Sequence, residues 1–182
     1  MKLYVMRHGP AEDDSPTGRD ADRALTPTGR DRVRHVARAL LEGGEAPFIV
    51  LSSPLVRALQ TAEIVASITG LDRRVADEKK ARASGGTGAV EVRREMAPGG
   101  DTLGLVGELA RAGRKRVMVV GHEPDLSLLV SRLIGRLPSE GMLKAMVVGV
   151  KLTPTAPEVQ GSGFTSKSRF VLDPKTLAWQ RD

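Results

Sequence analysis

Apolar residues fall along the chain in short continuous runs that alternate with stripes at helical spacing. Leu3, Tyr4, Val5 and Met6 are consecutive and end before a Gly9-Pro10 turn, which predicts a short strand over Lys2–Arg7 buried on both faces. The polar stretch Glu12 to Asp22 reads as loop. Thr26 stands as an N-cap before Pro27, and Val33, Val36, Ala37, Leu40 and Leu41 then recur on one helix face until Gly43-Gly44. Phe48–Ser52 predicts a second buried strand that runs into Ser53-Pro54, a second cap and first-turn pair. Leu55, Leu59, Ala62, Val65 and Ala66 mark the inner face of the helix that follows, and Gly70 stops it. From Asp72 to Gly100 the chain is charged, glycine-rich and aperiodic, which reads as an extended connection with at most short elements. Asp101 or Thr102 caps a helix to Ala112, Val117–Val120 is a third strand leaving through Gly121-His122, and Pro124 opens a helix carrying Leu126, Leu129, Val130 and Leu133. After Pro138, Ala145–Leu152 and Ser168–Leu172 predict two further strands, and Phe164, Phe170 and Trp179 are expected to pack.

Strands alternating with helices at this spacing predict an α/β fold with a largely parallel sheet and helices on both faces. There is no internal repeat and no linker, so one domain is expected over residues 1–182. Right-handed crossovers would bring the C-terminal strand ends to one edge.

Composition narrows the function classes. Hydrophobic residues at 40% and charged residues at 27% exclude a disordered or fibrous chain. The absence of cysteine excludes disulfides, thiolate metal sites and a cysteine nucleophile, and agrees with a reducing compartment. No run approaches the ~20 apolar residues of a membrane span, and the N-terminal apolar run is too short for a secretory signal. A soluble, cytoplasmic protein with no membrane partner is expected. The formal charge of +6 favours anionic partners. Nucleic acid is not expected, because only five residues are aromatic and Tyr4 and Phe48 fall inside predicted strands, which leaves no stacking platform.

Three predicted strands end in reactive residues: Arg7-His8-Gly9, Ser52-Ser53 leading to Arg57, and Gly121-His122. In open α/β sheets that edge is where ligands bind. Each residue alone would be an ordinary structural or surface group, but two arginines and two histidines meeting at one edge suit a phosphoryl group. Arg57 lies in the first turn of its helix, where free N–H groups also favour an anion. His35, between Arg34 and Arg38, reads as structural or surface.

Met6-Arg7-His8-Gly9, Leu25-Thr26-Pro27-Thr28-Gly29, Ser52-Ser53-Pro54-Leu55-Val56-Arg57-Ala58-Leu59-Gln60-Thr61-Ala62 and Val119-Val120-Gly121-His122 together resemble the histidine phosphatase superfamily. The four blocks span most of Met1–Leu133 in the family's order and spacing. The resemblance implies a phosphoglycerate-mutase-like three-layer α/β/α sandwich with a mostly parallel central sheet. Chain length and the Gly121-His122-Glu123-Pro124 block are most similar to the small SixA-type phosphohistidine phosphatases. The resemblance implies that His8 is the nucleophile and that Arg7, Arg57 and His122 bind the phosphoryl oxygens. A neutral imidazole is a competent nucleophile, and phosphoryl transfer needs chiefly in-line positioning and charge stabilisation. No cofactor is implied, and metal independence is expected. The expected substrate is a phosphohistidine-bearing protein, since an imidazole leaving group needs little proton donation. A small phosphorylated metabolite is the alternative and would call for a general acid, with Glu95 favoured over Glu78 and Glu91. Asp20 and Asp22 are candidates for the pocket rim, and a non-catalytic phosphate-binding module is a third reading.

Overall fold

The central strand explains the architecture. β1 (Lys2–Arg7) buries Leu3 and Val5 against one hydrophobic cluster and Tyr4 and Met6 against another, so layers cover both of its faces. The computed structural model describes residues 1–73, 89–138, 141–155 and 163–181. Among them β1 is joined by β2 (Ile49–Ser52), β3 (Val90–Val92), β4 (Arg116–Gly121), β5 (Val147–Pro154), β6 (Phe164–Leu172) and β7 (Trp179–Arg181) in one sheet of order β3-β2-β4-β1-β5-β6-β7. Strands β3, β2, β4 and β1 are parallel, and β5, β6 and β7 extend the sheet by antiparallel pairing. Helices α1 (Pro27–Glu42) and α2 (Val56–Ile68) contribute Val33, Val36, Leu40, Ala62 and Val65 to one cluster. Helices α3 (Thr102–Arg111) and α4 (Asp125–Ile134) contribute Leu105, Leu109, Leu126 and Leu129 to the other, which completes the α/β/α sandwich.

Two caps act as the sequence predicts. The Thr26 side chain accepts from the Gly29 N–H at the head of α1, and Asp101 accepts from Gly104 at the head of α3. The Ser53-Pro54 pair does not open α2. That helix begins at Val56 with Leu55 at the cap position, and its buried face carries Arg57, Ala58, Thr61, Ala62, Val65 and Ala66, while Leu55 and Leu59 are only half-buried. Phe48 lies just before β2 rather than within it and is half-exposed, with the Arg116 guanidinium 5.2 Å from its ring centre. Within the stretch read as connection, residues 89–100 contain β3 and a short 3-10 turn at Arg94–Met96, whereas Glu78 lies outside the described residues. Phe164 and Phe170 are buried, and Trp179 on β7 packs on Phe170 with ring centroids 4.7 Å apart.

At the end of the sheet where β1 begins, Glu45 accepts from Tyr4 Oη at 2.8 Å, from Lys2 Nζ at 3.2 Å and from both Arg169 terminal nitrogens at 2.7 and 3.0 Å. Burial opposes its ionisation, but the hydrogen bonds from Arg169, Tyr4 and Lys2 outweigh that and hold its pKa at about 2. The unfolded chain takes up this proton near 4.5, so the contribution is complete above that pH and is lost as pH falls toward 2. Glu45→Ala is expected to lower stability by about 2–4 kcal/mol at pH 7 and to flatten the acid limb of the stability curve, read from urea midpoints between pH 7 and 3.

Candidate active site

Three parallel strands deliver their C-terminal ends to one place. His8 follows β1, and its backbone N–H donates to the Gly121 carbonyl at the end of β4, 3.1 Å away. Ser53 follows β2 and donates its N–H to the Val120 carbonyl at 3.0 Å. From the other side, the Ala145 N–H reaches the carbonyls of Arg7 and His8, each at 3.1 Å. Ala145 holds φ at +70°, the left-handed conformation that L residues seldom adopt, to aim that N–H back at β1.

The turn after His8 is clamped from α1 and α2. The Gly9 N–H donates to Thr61 Oγ1 at 3.1 Å, and that hydroxyl donates to the Arg57 carbonyl at 2.7 Å. Gly29 in the first turn of α1 lies so close that a Cβ there would sit 2.0 Å from the Pro10 carbonyl oxygen. The Leu25-to-Gly29 block thus has a physical reason: it caps α1 and lets its first turn press on the loop carrying His8.

The structure brings His8, Arg7, Arg57 and His122 together. The His8 and His122 rings are 5.1 Å apart, and both are almost fully buried. His8 Nδ1 lies 2.7 Å from the Gly9 carbonyl, which can only accept, so Nδ1 carries the proton and Nε2 presents a lone pair. Burial lowers the His8 pKa to about 3, with His122, Arg57 and Arg7 adding to the effect and the Gly9 hydrogen bond opposing it. Burial likewise lowers His122 to about 4, with Arg57 adding, while Asp20 and Asp125 oppose. Both imidazoles are therefore neutral at pH 7.

Arg7 donates to the Met142 carbonyl at 2.7 Å, and its Nε is buried without a partner among the described residues. Arg57 is the second residue of α2, and its side chain is 8% exposed. It donates to Asp20 twice, to the carbonyl at 2.7 Å and to the carboxylate at 2.9 Å. The Asp20 side chain is 62% exposed, and hydrogen bonds from Arg23 and then Arg57 keep its carboxyl ionised below the usual range. Asp22 instead pairs with Arg19 and Thr17 at the surface.

Glu95 is bonded to none of the four side chains His8, Arg7, Arg57 and His122 among the described residues. Its carboxylate is held by Arg93 at 2.7 Å, and that hydrogen bond lowers its pKa, the opposite of what a proton donor requires. Beside His122, Glu123 has one buried carboxylate oxygen without a partner among the described residues. Reading the sequence as caps and helix faces missed Ser53 and Thr61. Ser53 is fully buried with Oγ 2.8 Å from His122 Nε2, and Thr61 faces inward. The available signal for Thr61 was its spacing, four residues after Arg57 and so on the same helix face. No three histidine or carboxylate side chains gather as metal ligands would, and no helix is long and apolar enough to cross a membrane, among the described residues.

Residues 3–82 match the family model of the histidine phosphatase superfamily, branch 1. The chain is 33% identical over 137 residues to the phosphohistidine phosphatase SixA of Escherichia coli K12, covering 73% of this chain and 74% of that protein. It is 36% identical over 129 residues to an uncharacterised protein of Picosynechococcus, covering 69% and 68%. The structure of SixA complexed with tungstate aligns with a TM-score of 0.72 at 28% identity, over 98% of this chain and 100% of that one. A mycobacterial glucosyl-3-phosphoglycerate phosphatase, at 19% identity, aligns with a TM-score of 0.62 over 92% and 96%, a likeness of fold alone.

Proposed function

Because this chain belongs to the histidine phosphatase superfamily and is a phosphatase, we propose that it hydrolyses the P–N bond of phosphohistidine on a protein, through a phosphorylated His8. The observation that carries the reading is the His8 tautomer, in which the Gly9 carbonyl takes the Nδ1 proton and leaves Nε2 as a neutral nucleophile beside two guanidiniums. Nε2 attacks phosphorus in line as the bond to the departing imidazole breaks. Arg7, Arg57 and His122 hold the phosphoryl oxygens through that exchange of charge. Water then attacks the phosphorus on His8, releasing phosphate and returning the Nε2 lone pair, with no metal required.

The choice of a P–N substrate is supported by the state of Glu95, whose carboxylate is kept ionised by Arg93 and is unsuited to protonating a departing alkoxide. A phosphomonoester of a small metabolite is the second reading, favoured by the unpartnered carboxylate oxygen of Glu123 next to His122. Hydrolysis of a phosphohistidine peptide and of an aryl phosphate, both in EDTA, separates them. The proposal expects faster P–N cleavage, insensitive to Glu95→Gln and Glu123→Gln. Faster ester cleavage that collapses in Glu123→Gln would establish the second reading.

Arg57 meets the substrate already paired. An incoming phosphoryl group competes with the exposed Asp20 carboxylate for the same fork of donors. Asp20→Asn removes the competing charge and is expected to tighten inorganic phosphate binding by about three- to tenfold, measured as product inhibition.

A further inference from the structure

At the end of the sheet away from His8, the strand register sets cations against one another. Lys2 on β1 lies opposite Arg116 on β4 and opposite Lys151 on β5, and Lys151 lies opposite Lys167 on β6. Directly opposed residues share a sheet face, so four adjacent strands carry a row of four positive side chains where like charges destabilise the pairing. Glu45 is the one carboxylate bonded to any of this group among the described residues, and Lys2 and Arg169 already occupy it. Lys151 and Lys167 have no side-chain partner among those residues, and neither do Arg114 and Lys115 on the loop before β4. An open cleft of about 450 Å³ at this end is lined by Lys2, Arg114, Lys115, Lys151 and Arg169. Six strand residues, roughly 17 Å of β1, separate it from the His8 turn.

We propose that this cleft is a second anion site, distinct from the catalytic pocket, which takes an oligophosphate chain. Several anionic groups on one short ligand would relieve the repulsion among Lys2, Lys151 and the Arg114-Lys115 pair together, which a single phosphate is too small to reach. The chain could come from a nucleoside triphosphate or from inorganic polyphosphate, and both present the same row of phosphoryl oxygens.

Amide NMR titration of the full chain with inorganic tripolyphosphate at physiological salt tests the site. Shifts are expected at Arg114, Lys115 and Lys151, and the double variant with Arg114→Gln and Lys151→Gln should bind at least about tenfold more weakly while hydrolysing a phosphorylated substrate as before. Both changes are at exposed positions, so the fold is retained. ATP binding more tightly than tripolyphosphate would assign the nucleotide source, and long polyphosphate doing so would assign the polymer. AMP binding as well as ATP, or single-stranded RNA binding more tightly than either phosphate chain, would overturn the proposal. Shifts confined to the His8 turn, or full binding by the double variant, would overturn it too.

Discussion

Under the proposed mechanism, His8→Ala is expected to abolish turnover of the phosphohistidine peptide, by more than about 10,000-fold, and to leave inorganic phosphate binding in place. The two results belong together because the imidazole and the oxyanion donors are separate parts of the pocket. Removing the ring would remove the atom proposed to receive the phosphoryl group, but Arg57, Arg7 and His122 are anchored through their own elements by Asp20, Met142 and Ser53. Single-turnover labelling with a phosphorylated substrate followed by alkaline quench, which preserves P–N bonds, should trap phosphate on the wild-type chain and none on the variant. Loss of phosphate affinity in parallel with turnover would instead mean that the ring organises the pocket. The same geometry fixes a pH dependence. Imidazole ¹⁵N spectra should show His8 and His122 neutral from pH 8 down to 5, because burial holds their pKa values at about 3 and 4. A ring that charges near 6.5 would show that water reaches the pocket more freely than its burial implies.

Arg57→Ala should cost about 100- to 1000-fold in kcat, the range found when one preorganised oxyanion donor is removed. Arg57→Lys should recover little of this. Lysine restores the charge but not the planar fork, whose two terminal nitrogens now hold Asp20 and would hold two phosphoryl oxygens. Because the side chain is nearly buried, each variant's unfolding midpoint must be measured beside its kinetics. A loss of kcat with an unchanged midpoint isolates the electrostatic effect.

The site was legible where the chain makes its own local statement. A buried run followed by a reactive dipeptide identifies both the strand and what its end presents, and this holds for Arg7-His8 and Gly121-His122. The head of α2 was harder. Ser53-Pro54 has the composition of a cap, yet the Ser53 hydroxyl is turned to His122 and accepts from Leu55 only at 3.3 Å, so the helix starts later than composition suggests. Arg57 and Thr61 occupy the inner face where it borders the polar turn after His8, while Ala62, Val65 and Ala66 carry the same face on into the apolar core. The sheet divides in the same way. Its parallel half follows from strand–helix alternation, but β7 is three residues long and exists through pairing with β6, a contact that no local pattern encodes. Asp20 illustrates the limit most plainly, since an acidic loop residue acquires meaning only once Arg57 is brought to it.

The position of β1 at the middle of the sheet bears on how the chain is made. It is synthesised before any of its neighbours, yet it pairs with Arg116–Gly121 on one side and Val147–Lys151 on the other. At about 5–20 residues per second, Lys2 emerges roughly 7–30 s before Lys151. For roughly the first 6–24 s of that interval, until Gly121 has emerged, Leu3, Tyr4, Val5 and Met6 have neither flanking strand, so the nascent chain carries an unpaired apolar segment with a free edge on each side. His8 lies at the end of that segment, so the pocket around it cannot close before Gly121, His122 and Ala145 have emerged.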